Sequence, residues 1–102
     1  METKKNIYNN GKIYRVCDNG YTKFYYGSTV QPLAVRMGGH RLDYSKYKNG
    51  NFQKVSLFDI FDEFNPSNCK IELVELYPCQ SREELRNREG YRIQKMNVQI
   101  SE

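Results

Sequence analysis

Two runs rich in β-branched and aromatic residues, at 11–17 and 22–27, open the patterned part of the chain. An Asn-Gly pair lies between them, and such a pair favours the tight type I′ turn that joins antiparallel strands. The pattern therefore predicts a β-hairpin with a two-residue loop. In that register Tyr14 lies directly opposite Tyr25, on the same face of the sheet. The polar residues 1–10 carry no such pattern, and we interpret them as a flexible N-terminal arm.

Helical spacing follows the hairpin. Pro32 suits the first turn of a helix because its ring fixes φ. The residues after it repeat at spacings of four, three and four, which places them on one helical face: Leu33, Met37, His40 and Tyr44. The next segment, residues 44–51, is polar and predicts a loop.

A second helix and a third strand come next. An Asn-Pro pair at 65–66 ends the helix, and its apolar face consists of Leu57, Phe58, Phe61 and Phe64. Residues 70–77 are rich in strand formers, but their apolar alternation slips at Leu73-Val74. The third strand is therefore either buried on both faces or interrupted by a bulge.

The third helix begins at a Ser-x-x-Glu capping box in residues 81–84 and extends to about Met96. Leu85, Ile93 and Met96 define its predicted buried face, and Glu89 falls on the same face. A carboxylate that faces a core is costly unless a cation neutralises it. A divalent metal ion would do so, and the alternative is a structural ion pair with an arginine such as Arg92.

The order of predicted elements is β-β-α-α-β-α, without a repeat or a linker. This order predicts a mixed fold, α/β in the broad sense and α+β in detail, with a small three-stranded, mainly antiparallel sheet flanked by helices. A chain of 102 residues has room for one ordinary domain. We expect that domain to occupy residues 11–102, after the flexible arm.

Composition narrows the setting of this domain. Three widely spaced cysteines favour reduced thiols in an intracellular protein over a disulfide framework or a zinc site. No run of about 18 apolar residues and no apolar N-terminal signal occur, so we expect neither a membrane span nor secretion. The net charge of +4 permits a nucleic-acid partner. Lys46, Lys48 and Lys54 are candidate phosphate contacts, with solvated surface lysines as the alternative.

Two further features have either an ordinary or a chemical explanation. Arg36 and His40 lie four residues apart and are neighbours on the first helix. A histidine on an apolar face is most often a core residue, whereas a planar guanidinium that faces a phosphate would hold two oxygens at once. The Tyr14–Tyr25 pair is likewise either a stabilising cross-strand contact or part of a site.

Four segments together resemble the GIY-YIG nuclease family. Residues 12–14 (Lys-Ile-Tyr) and 25–27 (Tyr-Tyr-Gly) resemble the two motifs that name it, with lysine in place of the first glycine and tyrosine in place of the isoleucine. Residues 33–41 are similar to the family's helix with an arginine and a histidine, and residues 85–93 to the segment with its catalytic glutamate. The resemblance covers residues 11–97 and agrees with the order of predicted elements.

This resemblance implies a metal-dependent endonuclease that hydrolyses DNA phosphodiester bonds with one Mg²⁺ or Mn²⁺ per active site. Glu89 would be the sole protein carboxylate ligand of the metal, and Arg36 would contact the scissile phosphate. Tyr14 would orient or deprotonate the attacking water, with Tyr25 and His40 completing the hydrogen-bond frame. One such site cuts one strand, so double-strand cleavage would require a dimer or successive nicking.

The role of Tyr14 depends on its pKa. A phenol with a pKa near 10 is ionised to about one part in a thousand at pH 7, so a general base needs a lowered pKa. In the predicted register Lys23 shares the face of Tyr14 and Tyr25, and we expect its ammonium to lower the pKa of Tyr14 or to receive the proton. The competing mechanism activates the water at the metal and leaves Tyr14 as a positioning donor.

Two other classes of function are alternatives to the enzyme. One is a catalytically inactive nucleic-acid-binding module with the same fold, and the other is an unrelated interaction domain in which the tyrosine motifs arise by chance. The joint presence of Tyr14, Tyr25, Arg36 and Glu89 favours the enzyme.

Overall fold

The computed structural model describes the backbone of residues 6–101 and the side chains of residues 6–95. This part of the chain forms three strands and three α-helices, in the order β1 (Lys12–Asp18), β2 (Phe24–Thr29), α1 (Leu33–Lys48), α2 (Leu57–Phe64), β3 (Cys69–Leu76) and α3 (Arg82–Ser101). Short 3₁₀ turns at Ile7–Asn10 and Pro66–Asn68 precede β1 and β3. The predicted α+β class and the order β-β-α-α-β-α are therefore confirmed.

The sheet is antiparallel throughout, with the strand order β2-β1-β3. Tyr14 and Val16 on one face of β1 pack with residues of α1 and α2, including Met37, Phe58 and Phe61. Ile13, on the opposite face, packs with Cys79 and with Leu85 of α3. The helices thus cover the sheet from both sides, with α1 and α2 on one side and α3 on the other.

The hairpin register differs from the prediction by two residues. Tyr14 pairs with Gly27, and Val16 pairs with Tyr25, so Tyr14 and Tyr25 are not directly opposite each other. Because side chains alternate with a period of two, this shift leaves both tyrosines on the same face of the sheet. The predicted common face is therefore right, although the predicted direct pairing is wrong.

Asp18 explains the longer loop. Its buried carboxylate accepts hydrogen bonds from the backbone N–H groups of Gly20, Thr22 and Lys23 at 2.8–3.2 Å. The type I′ turn expected at the Asn-Gly pair does not form, because neither of these residues has a positive φ. A turn of another type is present there, in which the Tyr21 N–H donates to the Asp18 carbonyl at 3.0 Å and Tyr21 adopts the left-handed conformation with φ 59°. A side chain that satisfies three backbone donors is a stronger local organiser than a favourable turn dipeptide.

The end of α1 differs from the prediction. Helix α1 continues to Lys48, so the loop predicted from Tyr44 onward is wrong over its first turn. The reason is tertiary: the rings of Tyr44 and Tyr47 pack against Phe58 of α2, with centroids 5.5 and 5.0 Å away.

The slip in the apolar alternation of β3 is a bulge, because the pairing partners of β1 skip Val74. That alternative of the prediction is confirmed.

Helix α3 begins as its capping box predicts. The Ser81 hydroxyl oxygen accepts the backbone N–H of Glu84 at 3.2 Å. Leu85 is buried as expected, but Ile93 is 37% exposed and does not belong to the buried face. Leu85 lies in the early turns of α3, where the helix meets the buried cluster, whereas Ile93 lies two turns farther along. The side chain of Met96 lies outside the described residues.

The segment before β1 is attached to the domain. The carbonyl oxygen of Tyr8 accepts the N–H of Cys79 at 2.9 Å, and the side-chain amide of Asn6 donates to the Cys79 carbonyl at 3.0 Å. Of the flexible arm predicted over residues 1–10, residues 6–10 thus contact the segment between β3 and α3, and residues 1–5 lie outside the described residues. None of the helices in the described range has the length and apolarity needed to cross a membrane.

Candidate active site

The hairpin places two phenols beside a glycine. Tyr14 and its partner Gly27 sit on one face of the sheet, with Tyr25 two residues from Gly27 on β2. A Cβ atom at position 27 would lie 2.5 Å from the Tyr14 hydroxyl oxygen and 2.6 Å from the adjoining ring carbon. The Tyr14 ring therefore rests directly on the backbone of β2, which only glycine permits.

Helix α1 supplies the partners of the Tyr14 hydroxyl. Because Arg36 and His40 are one turn apart, both reach the same group. The Tyr14 hydroxyl forms a hydrogen bond of 2.7 Å with Nε2 of His40, and Arg36 Nε donates to the Tyr14 oxygen at 3.4 Å. The His40 ring also meets Tyr25 edge-on, with centroids 5.9 Å apart. Buried His40 thus joins the two tyrosines.

Burial governs the electrostatics of this cluster. It is the main cause of the lowered pKa of His40, which falls to about 4 with the nearby Arg36 charge acting in the same direction. Burial also raises the pKa of Tyr14, although the hydrogen bond and the charge of Arg36 act the other way. For Tyr25, burial and the charge of Glu89 raise the pKa. At neutral pH, His40 and both phenols are therefore uncharged.

Glu89 approaches this cluster from the other side of the sheet. Leu85 anchors α3 in the cluster with Ile13, and Glu89 lies one turn farther along the helix. The Ser28 hydroxyl donates to Glu89 Oε1 at 2.6 Å, a short charge-assisted bond. Ser28 directly follows Gly27, so the edge strand β2 links the carboxylate to the tyrosine cluster.

These side chains share one cleft of about 670 Å³ along the β2 edge. Its lining combines three phenols with one carboxylate and three guanidinium groups, those of Tyr8, Tyr14, Tyr25, Glu89, Arg36, Arg82 and Arg86. The structure therefore brings together four of the six residues predicted as catalytic. His40 lies behind Tyr14 as its hydrogen-bond partner.

Lys23 is the predicted catalytic residue that the structure separates from this group. It lies in the loop before β2, and its Nζ atom donates to Glu63 of α2 at 2.8 Å. The lowered Tyr14 pKa expected from this lysine is also wrong, because burial raises that pKa. The two-residue change of register places Lys23 before the first residue of β2, four residues from Gly27, which is the partner of Tyr14.

The three lysines proposed to contact phosphates do not form a group with the cleft. Lys48 pairs with Asp62 at 3.2 Å, and Lys54 pairs with Asp59 at 2.9 Å. Lys46 is exposed in the last turn of α1. Two of the three charges are therefore balanced locally.

Arg82 and Arg86 of α3 are cleft residues that sequence reasoning missed. A usable signal was present, since Arg82, Arg86 and Glu89 stand at i, i+4 and i+7 and share one helical face. The prediction for α3 rests on its apolar residues and Glu89, and does not include Arg82 and Arg86. Arg92, considered as a structural partner of Glu89, instead donates to Glu75 at 3.0 Å together with Arg88.

The donor set is compatible with a single Mg²⁺ or Mn²⁺ ion that takes most of its ligands from elsewhere. Within the described residues, no three histidine, cysteine or acidic side chains cluster as a protein-only metal site. Mg²⁺ commonly binds proteins through one or two carboxylates and completes its shell with water and substrate phosphate. The Glu89 carboxylate, held by Ser28 at the wall of an open cleft, fits that kind of site.

Comparison with known proteins adds no relative. No protein-family model, curated protein or solved structure matches the chain.

Proposed function

We propose that this protein is a metal-dependent endonuclease of the GIY-YIG type, which hydrolyses phosphodiester bonds of DNA with one Mg²⁺ or Mn²⁺ ion. The observation that carries the proposal is the convergence of Tyr14, Tyr25, Arg36 and Glu89 on one cleft. These residues come from β1, β2, α1 and α3, and a sheet-stabilising role of the tyrosines would not require the arginine and the carboxylate to join them.

Arg36 stabilises charge on the phosphate. Its Nε atom donates to Tyr14, which leaves the terminal nitrogens of the guanidinium free to donate into the cleft. Phosphodiester hydrolysis builds negative charge on the phosphoryl oxygens, and donors already aimed at that charge lower the barrier. The bond to Tyr14 is long, at 3.4 Å, and keeps the guanidinium beside the Tyr14 hydroxyl at the cleft wall.

Tyr14 orients the attacking water and does not act as an ionised base. A phenol whose pKa is raised by burial stays protonated at neutral pH. With the His40 proton on Nδ1, Tyr14 donates to Nε2 and accepts from Arg36, and its oxygen keeps one lone pair for a water proton. The water oxygen is then directed away from Tyr14, toward a phosphate held by Arg36.

Glu89 would hold the metal ion, and Ser28 holds Glu89. When bound, such an ion supplies charge neutralisation at the phosphoryl oxygens and lowers the pKa of water in its shell. The Ser28 hydroxyl occupies one lone pair of Oε1 and fixes the orientation of the carboxylate. Tyr25 closes the wall beside His40 and keeps bulk water from the Tyr14–His40 bond.

Relaxation of supercoiled plasmid DNA with Mg²⁺ or Mn²⁺ tests this proposal. The wild type should produce nicked circles, and Glu89→Gln should lose this activity while retaining its fold and duplex binding. Glu83→Gln is the matched control, because Glu83 is an exposed carboxylate of the same helix outside the cleft lining. Arg36→Ala should also lose cleavage.

The outcomes separate the enzyme from its main alternative. Equal, trace activity in the wild type and in Glu89→Gln, combined with tight duplex binding in both, would identify a binding module without catalysis. Loss of both activity and binding in Glu83→Gln would point to damage of the helix and would contradict a specific role of Glu89.

A further inference from the structure

In the described part of the chain, some basic side chains form ion pairs with carboxylates, and the arginines of the cleft do not. Seven lysines and arginines pair with carboxylates at 2.7–3.8 Å: Arg15, Lys23, Lys48, Lys54, Lys70, Arg88 and Arg92. Among the described side chains, none of the three cleft arginines has such a partner. The cleft wall therefore holds three guanidinium charges against the single carboxylate of Glu89.

Arg82 and Arg86 extend the charged wall away from Glu89 along α3. Both are exposed, both line the cleft, and they are separated by one helical turn. At 1.5 Å per residue, Arg86 lies about 4.5 Å and Arg82 about 10 Å from Glu89 along the helix axis. One strand of B-DNA rises about 3.4 Å per nucleotide along the duplex axis, so with α3 parallel to that axis this interval would span about three nucleotides.

We infer that Arg82 and Arg86 form a phosphate subsite that binds the backbone of the cleaved strand beside the scissile phosphate. The inference rests on the proposed function and specifies its substrate class, a polynucleotide with consecutive phosphates. Arg36 acts on the scissile phosphate, whereas Arg82 and Arg86 hold its neighbours and fix the position of the strand relative to Glu89. Guanidinium groups suit this task because their planar fork matches phosphate oxygens.

The subsite replaces the lysines of α1 and the following loop as the main contact to the nucleic-acid backbone. The ammonium groups of Lys48 and Lys54 are already paired with acidic residues, so a phosphate would have to compete with those partners. Arg82 and Arg86 require no such exchange. Their position on the cleft wall also connects binding directly to the reacting phosphate.

Salt-dependent binding of a duplex oligonucleotide, measured without metal so that no cleavage occurs, tests the subsite. Each lost phosphate contact lowers the slope of log Kobs against log salt concentration by about 0.9. Arg82→Gln/Arg86→Gln should therefore lose about 1.8 from the slope and bind roughly 60-fold more weakly at 0.1 M salt, if the curves meet near 1 M. Arg82→Lys/Arg86→Lys should keep the slope.

The matched control is Arg41→Gln/Lys95→Gln, which removes the same charge from exposed positions outside the cleft lining. This variant should keep the wild-type slope. An unchanged slope in the Arg82/Arg86 variant, or an equal loss in the control, would overturn the subsite. Thermal unfolding of each variant checks that the fold is retained.

A small diester separates the subsite from the proposed chemistry. Bis(p-nitrophenyl) phosphate has no neighbouring phosphate, so Arg82→Gln/Arg86→Gln should lose much less activity on it than on plasmid DNA. Arg36→Ala should lose both activities. If the wild type binds duplex through Arg82 and Arg86 but cleaves neither substrate, the proposed function fails and the subsite stands. Equal loss of both activities in the Arg82/Arg86 variant would contradict a role limited to neighbouring phosphates.

Discussion

Tyr14 of β1 and Gly27 of β2 are paired residues of the hairpin, and a Cβ atom at position 27 would lie only 2.5 Å from the Tyr14 hydroxyl oxygen. This contact positions the phenol that His40 and Arg36 both bind. The glycine of the second tyrosine motif thus has a physical role: it makes room for the tyrosine of the first.

Gly27→Ala should displace the Tyr14 ring. Overpacking a buried site costs about 1–3 kcal/mol of folding free energy. Plasmid cleavage should fall at least tenfold, because a misplacement of about 1 Å in a catalytic group can cost about 100-fold in rate. Chemical denaturation and plasmid nicking on the same samples measure both effects.

Gly38→Ala is the control for this substitution. A Cβ at position 38 meets no atom within 4 Å, and the residue lies inside α1. Alanine there should stabilise the protein by up to about 1 kcal/mol and leave cleavage unchanged. If Gly27→Ala behaves in the same way, Tyr14 does not depend on the contact.

Much of the architecture followed from local signals. The Ser81 cap of α3, the Asn-Pro end of α2 and the bulge at Val74 each depend on neighbours in sequence. The first two appear as predicted, and the bulge is one of the two alternatives that the apolar slip left open. The prediction that Tyr14 and Tyr25 share a face is correct although the predicted loop is wrong. The register error is two residues, and side chains alternate between faces with a period of two.

The features that sequence reasoning missed depend on contacts between elements. The extension of α1 follows from packing of Tyr47 on Phe58, which no pattern within α1 reveals. The pairing of Lys23 with Glu63 depends on where α2 lies relative to the hairpin loop. Similarly, the hydrogen bond between Ser28 and Glu89 depends on the position of α3 beside the β2 edge.

Tyr14→Phe distinguishes the positioning role from general-base catalysis. The variant keeps the ring on Gly27 but loses the bonds to His40 and Arg36. If Tyr14 orients the water, the cleavage rate should fall while the pH–rate profile keeps the wild-type shape. Disappearance of the rise in rate with increasing pH would instead assign the general-base role to the phenol. Lys23→Met, which removes a side chain paired with Glu63, should leave both rate and profile unchanged.

The buried histidine should make stability sensitive to mildly acidic pH. His40 has a pKa of about 4 in the folded protein against 6.5 for an ordinary histidine. Between these values the unfolded chain binds the extra proton, so the stabilisation is fully present above about pH 6.5 and is lost as pH falls toward 4. From pH 7 to pH 4.5 the free energy of unfolding should decrease by about 2 kcal/mol.

His40→Gln tests this assignment. His40 is the single histidine of the chain, so urea denaturation of the variant should give a nearly flat dependence between pH 7 and pH 4.5. Acidic groups with lowered pKa values, such as Glu72 and Glu75, begin to reduce stability only near the acidic end of this window and act equally in both proteins. The same slope in the variant and in the wild type would show that another group titrates.

Ser28 should control the metal requirement of the reaction. Its hydroxyl holds Glu89 Oε1 at 2.6 Å, and removal of a hydrogen bond that orients a metal ligand typically costs 10- to 100-fold in metal affinity, as an order of magnitude. Ser28→Ala should therefore need about tenfold more Mg²⁺ for half-maximal nicking and approach the wild-type rate at saturation. Ser28→Thr keeps a hydroxyl and should need less Mg²⁺ than the alanine variant, while Ser45→Ala, on the exposed side of α1, should match the wild type. An unchanged Mg²⁺ requirement with a lower plateau would mean that Ser28 acts on the reaction without acting on the ligand.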